Sequence, residues 1–393
     1  MQEPTTKINN LLYGIYHERY YKSNKGNQTL GKYARSLDEL LLERIKKSLH
    51  KYYPDQDPDH NTIESIPNSY RSANIFFLYR IEFRQTNVIK IIAVKVCLPF
   101  VEDYIEICRN EYKMLTLLQS NKKIQKSNYY IPNLLDYFED FNAIVMEKIE
   151  ATQIVDYIKD LKPFQKDKHI NHVLSIMQQC GQCLRFIHQI IHKETQINVS
   201  ELFFSETYND VKRYLRYLAS HGLIPNSFAH QIHDLYLAVF KKYSKFTSHL
   251  VIAHGDFHVG NIMINEDKIY VIDFPFSKEN IIYEDIGCFL TSLMVLYLHP
   301  RYFQYRARLM PLMQERFLIG YFGEESLRIS DNIFIQLNIM TQILFNWQKR
   351  HAYIKAANFS LKRIIRLFSL NRIYEWNTKQ TSKTLQKLLT TQD

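Results

Sequence analysis

The spacing of apolar and polar positions divides the chain into three regions. The first is helical. Ser36-Leu37-Asp38-Glu39 has the form of a capping box opening an amphipathic helix that runs to about Tyr53, where Pro54 and Pro58, with acidic residues between them, break the chain. Residues 1–61 are therefore expected to form a helical extension. Between Thr62 and Glu150 the pattern turns to strands: Ala73 to Phe83 and Val88 to Leu98 are rich in Ile, Val, Phe and Tyr and are separated by Gln85-Thr86-Asn87, which predicts a hairpin. A helix with apolar residues at Ile105, Cys108, Tyr112, Leu115 and Leu118 follows, then strands over 134–138 and 143–149. Residues 62–149 thus read as a small sheet with one helix.

From Ala151 onward helical spacing dominates, with candidates over 171–192, 207–247, 286–298, 305–321, 332–357 and 361–374. One non-helical stretch interrupts them. There, Leu250 to Ala253, Ile262 to Ile264 and Ile269 to Ile272 are short β-like runs with polar residues between them, the pattern of a loop followed by a small hairpin.

Composition narrows the classes. With 46% hydrophobic and 23% charged residues the chain is ordinary globular material, and 10 glycines with no G-x-G-x-x-G disfavour a dinucleotide-binding fold. The longest apolar stretch, Ile286 to Leu298, is short of the roughly 20 residues a spanning helix needs. Five scattered cysteines and a polar start without a secretory run point to a reduced, cytoplasmic setting. The net charge of +10 is concentrated at the end, where 341–393 hold ten Lys or Arg against Glu375 and Asp393. A basic end of this kind can meet nucleic acid, anionic lipid or an acidic substrate, but a solvated helix face is the commoner use, and no nucleic-acid partner is expected.

Within the non-helical stretch the chain reads His254-Gly255-Asp256-Phe257-His258-Val259-Gly260-Asn261, then Val271-Ile272-Asp273-Phe274 and, further on, Asp285-Ile286-Gly287. Phosphoryl transfer needs a divalent cation with carboxylate and amide ligands, and a carboxylate that orients the acceptor hydroxyl. Asp256, Asn261 and Asp273 are of those types. The run resembles the H-G-D-x-x-x-x-N and I-D-[FW] signature of the aminoglycoside phosphotransferase and choline kinase-like families, which share the protein-kinase fold. That resemblance implies an α+β, two-lobed fold with a β-rich small lobe over 62–149, a helical lobe over 150–393 and a cleft between them. It also implies transfer of the γ-phosphate of ATP or GTP to a hydroxyl group, with Mg²⁺. In that reading Asp256 orients the acceptor or receives its proton, and Asn261 and Asp273 hold Mg²⁺. Asp285 buttresses the loop by accepting backbone hydrogen bonds, and His254 orients the Asp273 segment.

Ile92-Ala93-Val94-Lys95 is similar to the kinase V-A-I-K strand, whose lysine reaches the α- and β-phosphates and pairs with a helix glutamate. Glu111 is the expected partner, ahead of Glu102 and Glu106. Pro67 to Ser72 stands where a glycine-rich loop would cover the phosphates; it holds no glycine, and Ser69 and Ser72 are assigned to phosphate contact. Met146-Glu147-Lys148-Ile149 falls where the family's hinge meets adenine through backbone groups, which places Glu147 and Ile149 at the base. Pro275 replaces the glycine of D-F-G, and neither H-R-D nor A-P-E occurs, so a regulated protein kinase is disfavoured.

Two further motifs invite other readings. Cys180-Gly181-Gln182-Cys183, with His188 and His192, suggests zinc or redox chemistry, but at about 100° per residue the four side chains diverge around a helix. Lys362, Arg363 and Arg366 lie opposite Leu361, Ile364, Ile365 and Phe368, a pattern shared with membrane-surface helices, so peripheral membrane or anionic-substrate contact is open there beside ordinary core packing. Between Glu279 and Met340 seven acidic residues face five basic ones, too few to line a polycation pocket. A sugar, polyol, or glycan or lipid intermediate is therefore expected ahead of an aminoglycoside. Trp347, Tyr353 and Tyr374 are the candidates for an aromatic cage around a choline-type ammonium. The alternative class is a catalytically silent nucleotide-binding or scaffold protein, against which the joint presence of Lys95, Glu111, Asp256, Asn261 and Asp273 argues.

Overall fold

The computed structural model of the chain describes residues 8, 11, 12, 15, 32–57, 61–66, 74–99, 103–160, 167–190, 192–266, 268–296, 303–324, 327–356 and 361–391. Its principal elements begin with helix α1 (Lys32–Tyr52), strands β1 (Asn61–Ile66), β2 (Asn74–Phe83) and β3 (Val88–Cys97), and helix α2 (Tyr104–Gln119). Strands β4 (Tyr129–Tyr130), β5 (Leu134–Phe138), β6 (Ala143–Glu147) and β7 (Thr152–Gln153) follow, then α3 (Asp167–Ile190), β8 (His192–Asn198), α4 (Val199–Ser220) and α5 (Asn226–Lys242). Next come β9 (Thr247–Ala253), β10 (Ile262–Asn265), β11 (Lys268–Val271) and β12 (Lys278–Asn280). Helices α6 (Tyr283–Leu296), α7 (Phe303–Phe322), α8 (Ile329–Ala356) and α9 (Leu361–Thr390) end the chain. They fall into two units, residues 1–151 with 265–277, and residues 152–264 with 278–393.

The first unit is built on an antiparallel sheet of order β1-β2-β3-β6-β5. Strict alternation makes β2 two-faced: Ile75, Phe77, Tyr79, Ile81 and Phe83 are buried on one side. Helix α1 lays Leu37, Leu41, Ile45 and Leu49, spaced three or four apart, on that face. Helix α1 of the expected helical extension thus shares the sheet's core. Ser36 also lies within α1, which begins at Lys32, so the four residues starting there do not cap it. Asp38 has a tertiary task instead, accepting hydrogen bonds from Tyr79 Oη at 2.7 Å and Ser65 Oγ at 2.9 Å. At the other end of α1, Lys51 and Tyr52 donate to Asp136 at 2.9 and 3.0 Å. Residues 265–277 count with this unit, where β11 pairs parallel with β4.

In the second unit, a sheet of order β12-β9-β8 and the short pair β7–β10 accompany the helices. The helix expected over 207–247 is two. Gly222, at φ 67°, ends α4 with Leu223 N–H bonded to Leu218 O at 2.9 Å and Gly222 N–H to Ala219 O at 3.0 Å, and Pro225 precedes α5. The cysteine motif marks a helix crossing: a Cβ on Gly181 would collide with Phe317 O, and one on Gly320 with Gln178 O, so both glycines let α3 and α7 approach backbone to backbone. Cys180 and Cys183 are buried beside that crossing, and burial pushes both thiols well up.

The aromatic trio does not form a cage. Trp347 and Tyr374 are stacked in the core, with Trp347 Nε1 donating to Asn371 at 2.9 Å, while Tyr353 is 76% exposed. The C-terminal helix packs Leu370, Tyr374 and Leu385 inward, and Lys242 Nζ donates to Leu389 O and Thr391 O near its end. The side chains of Lys362, Arg363 and Arg366 lie outside the described set, as do Ser69 and Ser72. Among the described residues no helix is long and apolar enough to cross a membrane.

Candidate functional site

The first unit carries a buried charge cluster. Residues Ile92, Val94 and Val96 of β3 join the core under α1, so the intervening positions, Ala93 and Lys95, point to the opposite face of the sheet. Glu111 meets Lys95 there from the middle of α2, its Oε2 2.6 Å from Nζ, with side-chain exposures of 2% and 3%. Lys95 Nζ also contacts Asp273 Oδ1. Burial works against the lysine's charge, but Glu111 and then Asp273 outweigh it and raise its pKa. For Glu111, burial is the largest influence and pushes the carboxyl up, with Lys95 pulling the other way. Glu106, the described rival, is exposed and pairs with Arg109 at 3.5 Å; Glu102 lies outside the described residues.

Asp273 adopts φ 72°, a left-handed conformation that costs a non-glycine residue about 1 kcal/mol or more and is held by its surroundings. One clamp is Asn110, beside Glu111 on α2, whose Nδ2 donates to Pro275 O at 3.0 Å and Ser277 O at 2.9 Å. Ser277 N–H closes the turn on Phe274 O at 3.2 Å. The same unit has a cavity of about 500 Å³ lined by Ile91, Tyr130, Asn133, Glu147, Ile149 and Tyr270, among others. Glu147 and Ile149 thus both border it. Glu147 N–H is bonded to Asn133 O at 2.9 Å and Lys148 N–H to Ile91 O at 2.8 Å. Although burial opposes it, the Glu147 carboxyl is held below the usual range, chiefly by Asn133 at 3.0 Å and Lys90 at 3.3 Å.

The second unit holds the loop after β9. Asp285, in the first turn of α6 and fully buried, accepts from His254 N–H at 2.6 Å and Gly255 N–H at 2.9 Å. His188 Nε2 lies 3.0 Å from the same carboxylate, and its Nδ1 lies 2.8 Å from Tyr321 Oη. Burial would raise the Asp285 carboxyl, but these donors, His188 first, overcome it and hold it below its ordinary value. Gly255 sits at φ 79°, where a side chain would be strained. His254 Nδ1 accepts from Asp256 N–H at 3.2 Å, which folds the ring back on its own loop. Asn261 Nδ2 donates to Asp256 O at 3.0 Å and Oδ2 at 3.3 Å, and His258 Nε2 stands 3.6 Å from Asp256 Oδ2.

The structure therefore gathers Lys95, Glu111 and Asp273 in one unit, and His254, Asp256, Asn261 and Asp285 in the other. Asn110, His188 and Tyr321 were not expected at either place. His188 drew notice as a conceivable zinc ligand, and its helical offset from Cys180 was the only signal that it faces elsewhere. Among the described residues no three His, Cys, Asp or Glu side chains gather as a metal cage. Oxygen donors of the kind a hard cation takes are present in Asp273 and in Asn261, whose NH₂ is spent on Asp256 and leaves Oδ1 for other use.

A model of the phosphotransferase enzyme family, APH, matches residues 93–328. No curated protein matches the sequence. Among solved structures, a glucosamine kinase matches with a TM-score of 0.53 at 12% identity, over 85% of this chain and 83% of that one. Glucosamine kinase in complex with glucosamine, ADP and inorganic phosphate gives 0.53 and 12%, over 84% and 83%. A choline/ethanolamine kinase family protein from Mesorhizobium loti gives 0.47 and 12%, over 89% and 95%. The likeness to the two glucosamine kinase structures, at 12% identity, is one of fold: α+β and protein-kinase-like, with a small antiparallel-sheet unit and a helical unit.

Proposed function

Because the chain belongs to the phosphotransferase enzyme family, we propose that it transfers the γ-phosphate of ATP or GTP to a hydroxyl of a small molecule. The observation that carries this reading is the Lys95–Glu111 pair: a charge pair this deeply buried stabilises little, so its presence fits a functional demand on the ammonium. In this proposal Lys95 binds the α- and β-phosphates and Glu111 fixes its direction. The cavity beside Glu147 and Ile149 takes the base, with Ser69 and Ser72 at the phosphates.

Asp256 orients the acceptor hydroxyl and receives its proton as the oxygen bonds to the γ-phosphorus and the bond to the β-phosphate oxygen breaks, releasing the nucleoside diphosphate. His258, His254 and Asn261 hold Asp256 in place. Asp273 and Asn261 are the proposed magnesium ligands. When bound, the cation neutralises charge on the phosphate oxygens. The short supply of acidic residues over 279–340 favours a sugar, polyol, or glycan or lipid intermediate as acceptor over a polycation. Five free cysteines suit a cytoplasmic setting.

The test is thermal unfolding with ATP, GTP and ADP, each with and without Mg²⁺, on wild type and Asp273→Ala. A ligand at 100 times its Kd adds about 2.7 kcal/mol, a visible shift. A Mg²⁺-dependent shift in wild type that disappears in Asp273→Ala is expected, together with a loss of transfer on the order of 10³ in that variant. Wild-type turnover in Asp273→Ala sinks the assignment. No shift with any nucleotide turns the reading to a silent scaffold.

A further inference from the structure

Helices α4 and α5 leave a groove between them that holds none of the residues assigned to the proposed reaction. It encloses a cavity of about 320 Å³ lined by Lys212, Arg216, His230 and His233 around a floor that includes Leu215 and Ala229. No acidic side chain is among its lining residues. Asp210 is turned to Arg213 at 3.0 Å, and Asp234, 76% exposed, stands beside His233 Nδ1 at 3.4 Å.

The groove is polarised along its length. On α4, Phe204, Tyr208, Lys212 and Arg216 follow one another at four-residue spacing and so share a face. Phe204 is exposed and stacks on Tyr208 with ring centres 4.4 Å apart. Tyr208 Oη meets His233 Nε2 at 2.6 Å across the groove, and Lys212 Nζ lies 4.7 Å from the Tyr208 ring centre. One turn beyond His233, Leu237 is exposed as well. Exposed apolar side chains thus stand at one end, an aromatic seam in the middle and cations at the other.

We infer that this groove seats the phosphate head group of an anionic phospholipid and holds the protein against a membrane surface. The cationic end supplies charge and N–H donors for phosphate oxygens. Phe204 and Leu237 contribute apolar area of the kind that enters the interfacial layer. An exposed aliphatic and an exposed aromatic residue beside an acid-free basic cavity suit an anionic amphiphile better than a free anion, which gains nothing from them.

The test is sedimentation of the full chain with sucrose-loaded vesicles of phosphatidylcholine alone, or with about one lipid in five replaced by phosphatidate. Binding to the phosphatidate vesicles only is expected. The double variant Lys212→Gln/Arg216→Gln should lose about thirtyfold in partitioning, from two basic contacts at an anionic surface. Phe204→Ser/Leu237→Ser should also weaken it. Lys46→Gln/Lys47→Gln removes the same charge from exposed positions on α1 and should leave binding intact. An equal loss in that control would mean diffuse attraction by the net charge and would overturn the proposal. So would full competition by inorganic phosphate at concentrations too low to screen charge, which would make the site one for a free anion. Absence of sedimentation with either vesicle refutes it as well. Unchanged unfolding midpoints of the variants exclude misfolding as the cause of any loss.

Discussion

Lys95 Nζ and Glu111 Oε2 are 2.6 Å apart in a place where neither side chain is more than 3% exposed. Removing Glu111 leaves the buried ammonium to Asp273, a partly exposed carboxylate, while removing both Lys95 and Glu111 takes away the buried pair altogether. Glu111→Leu should therefore lose about 3 kcal/mol of stability. The double variant Lys95→Met/Glu111→Leu should recover most of it, because Asp273, 37% exposed, can hydrate once the lysine is gone. Urea unfolding measures the two, and a double variant no more stable than the single one would contradict the argument. Nucleotide-induced stabilisation should be absent from the double variant whatever its stability.

Asp285 ties the loop of Asp256 to helix α6 through two backbone N–H groups and to α3 through His188. Since its carboxyl is held below the ordinary value, the stability it contributes is present above the usual carboxylate range and fades as pH falls through its depressed folded-state pKa. Asp285→Asn should cost about 3 kcal/mol at pH 7 and progressively less toward acid. A cost independent of pH in chemical unfolding between neutrality and the acid limit would show that the carboxylate's charge is not what matters.

Glu284 behaves in the opposite sense. Burial, only partly offset by Lys278, raises its carboxyl from 4.5 to about 7. The folded chain then holds a proton that the unfolded chain has released between those values. Stability from this group is complete below pH 4.5, declines as pH rises to 7 and is level above it. The decline amounts to at most about 3 kcal/mol, and less with its 24% exposure to screening water. Glu284→Gln should remove it and make the protein more stable than wild type at pH 8. Stability profiles of the two proteins that run parallel from pH 5 to 8 would exclude it.

Gly181→Ala tests the helix crossing. The added methyl group meets the Phe317 carbonyl and the backbone at Tyr321, atoms that cannot rotate away. A loss of about 2 kcal/mol or more is expected, although alanine is the better helix former by about 1 kcal/mol. Gly222→Ala, where the space is open but φ is 67°, should be penalised through backbone strain alone. Unfolding midpoints of the two variants separate the mechanisms, since a relaxed crossing would make Gly181→Ala neutral or stabilising.

Much of this protein was legible in the order of its residues. The period-two alternation of Asn74 to Phe83 and the turn before Val88 define β2 and β3 because one face of that pairing must be buried. The loop from His254 to Asn261 and the strand that carries Lys95 were legible because their chemistry requires particular residue types at particular spacings, which appear in the chain itself. Gly222 and Pro225 were equally visible as a helix stop; apolar spacing running across them concealed it.

Other features depend on partners far away in the chain, and no local pattern specifies them. Asp38 resembles part of a capping box, yet its partners are Tyr79 and Ser65 on the sheet. Asn110 sits inside α2 with no local mark of its use; packing makes it a clamp on the segment after Asp273. Cys180-Gly181-Gln182-Cys183 has a metal-like spacing whose actual use, the approach of two helices, exists only once α7 lies against α3. Residue order alone set which residue types were available for phosphoryl-transfer chemistry. Which lysine nitrogen meets which carboxylate, and which backbone groups hold Asp285, was decided by the tertiary structure, because burial and hydrogen bonding are properties of what surrounds a side chain.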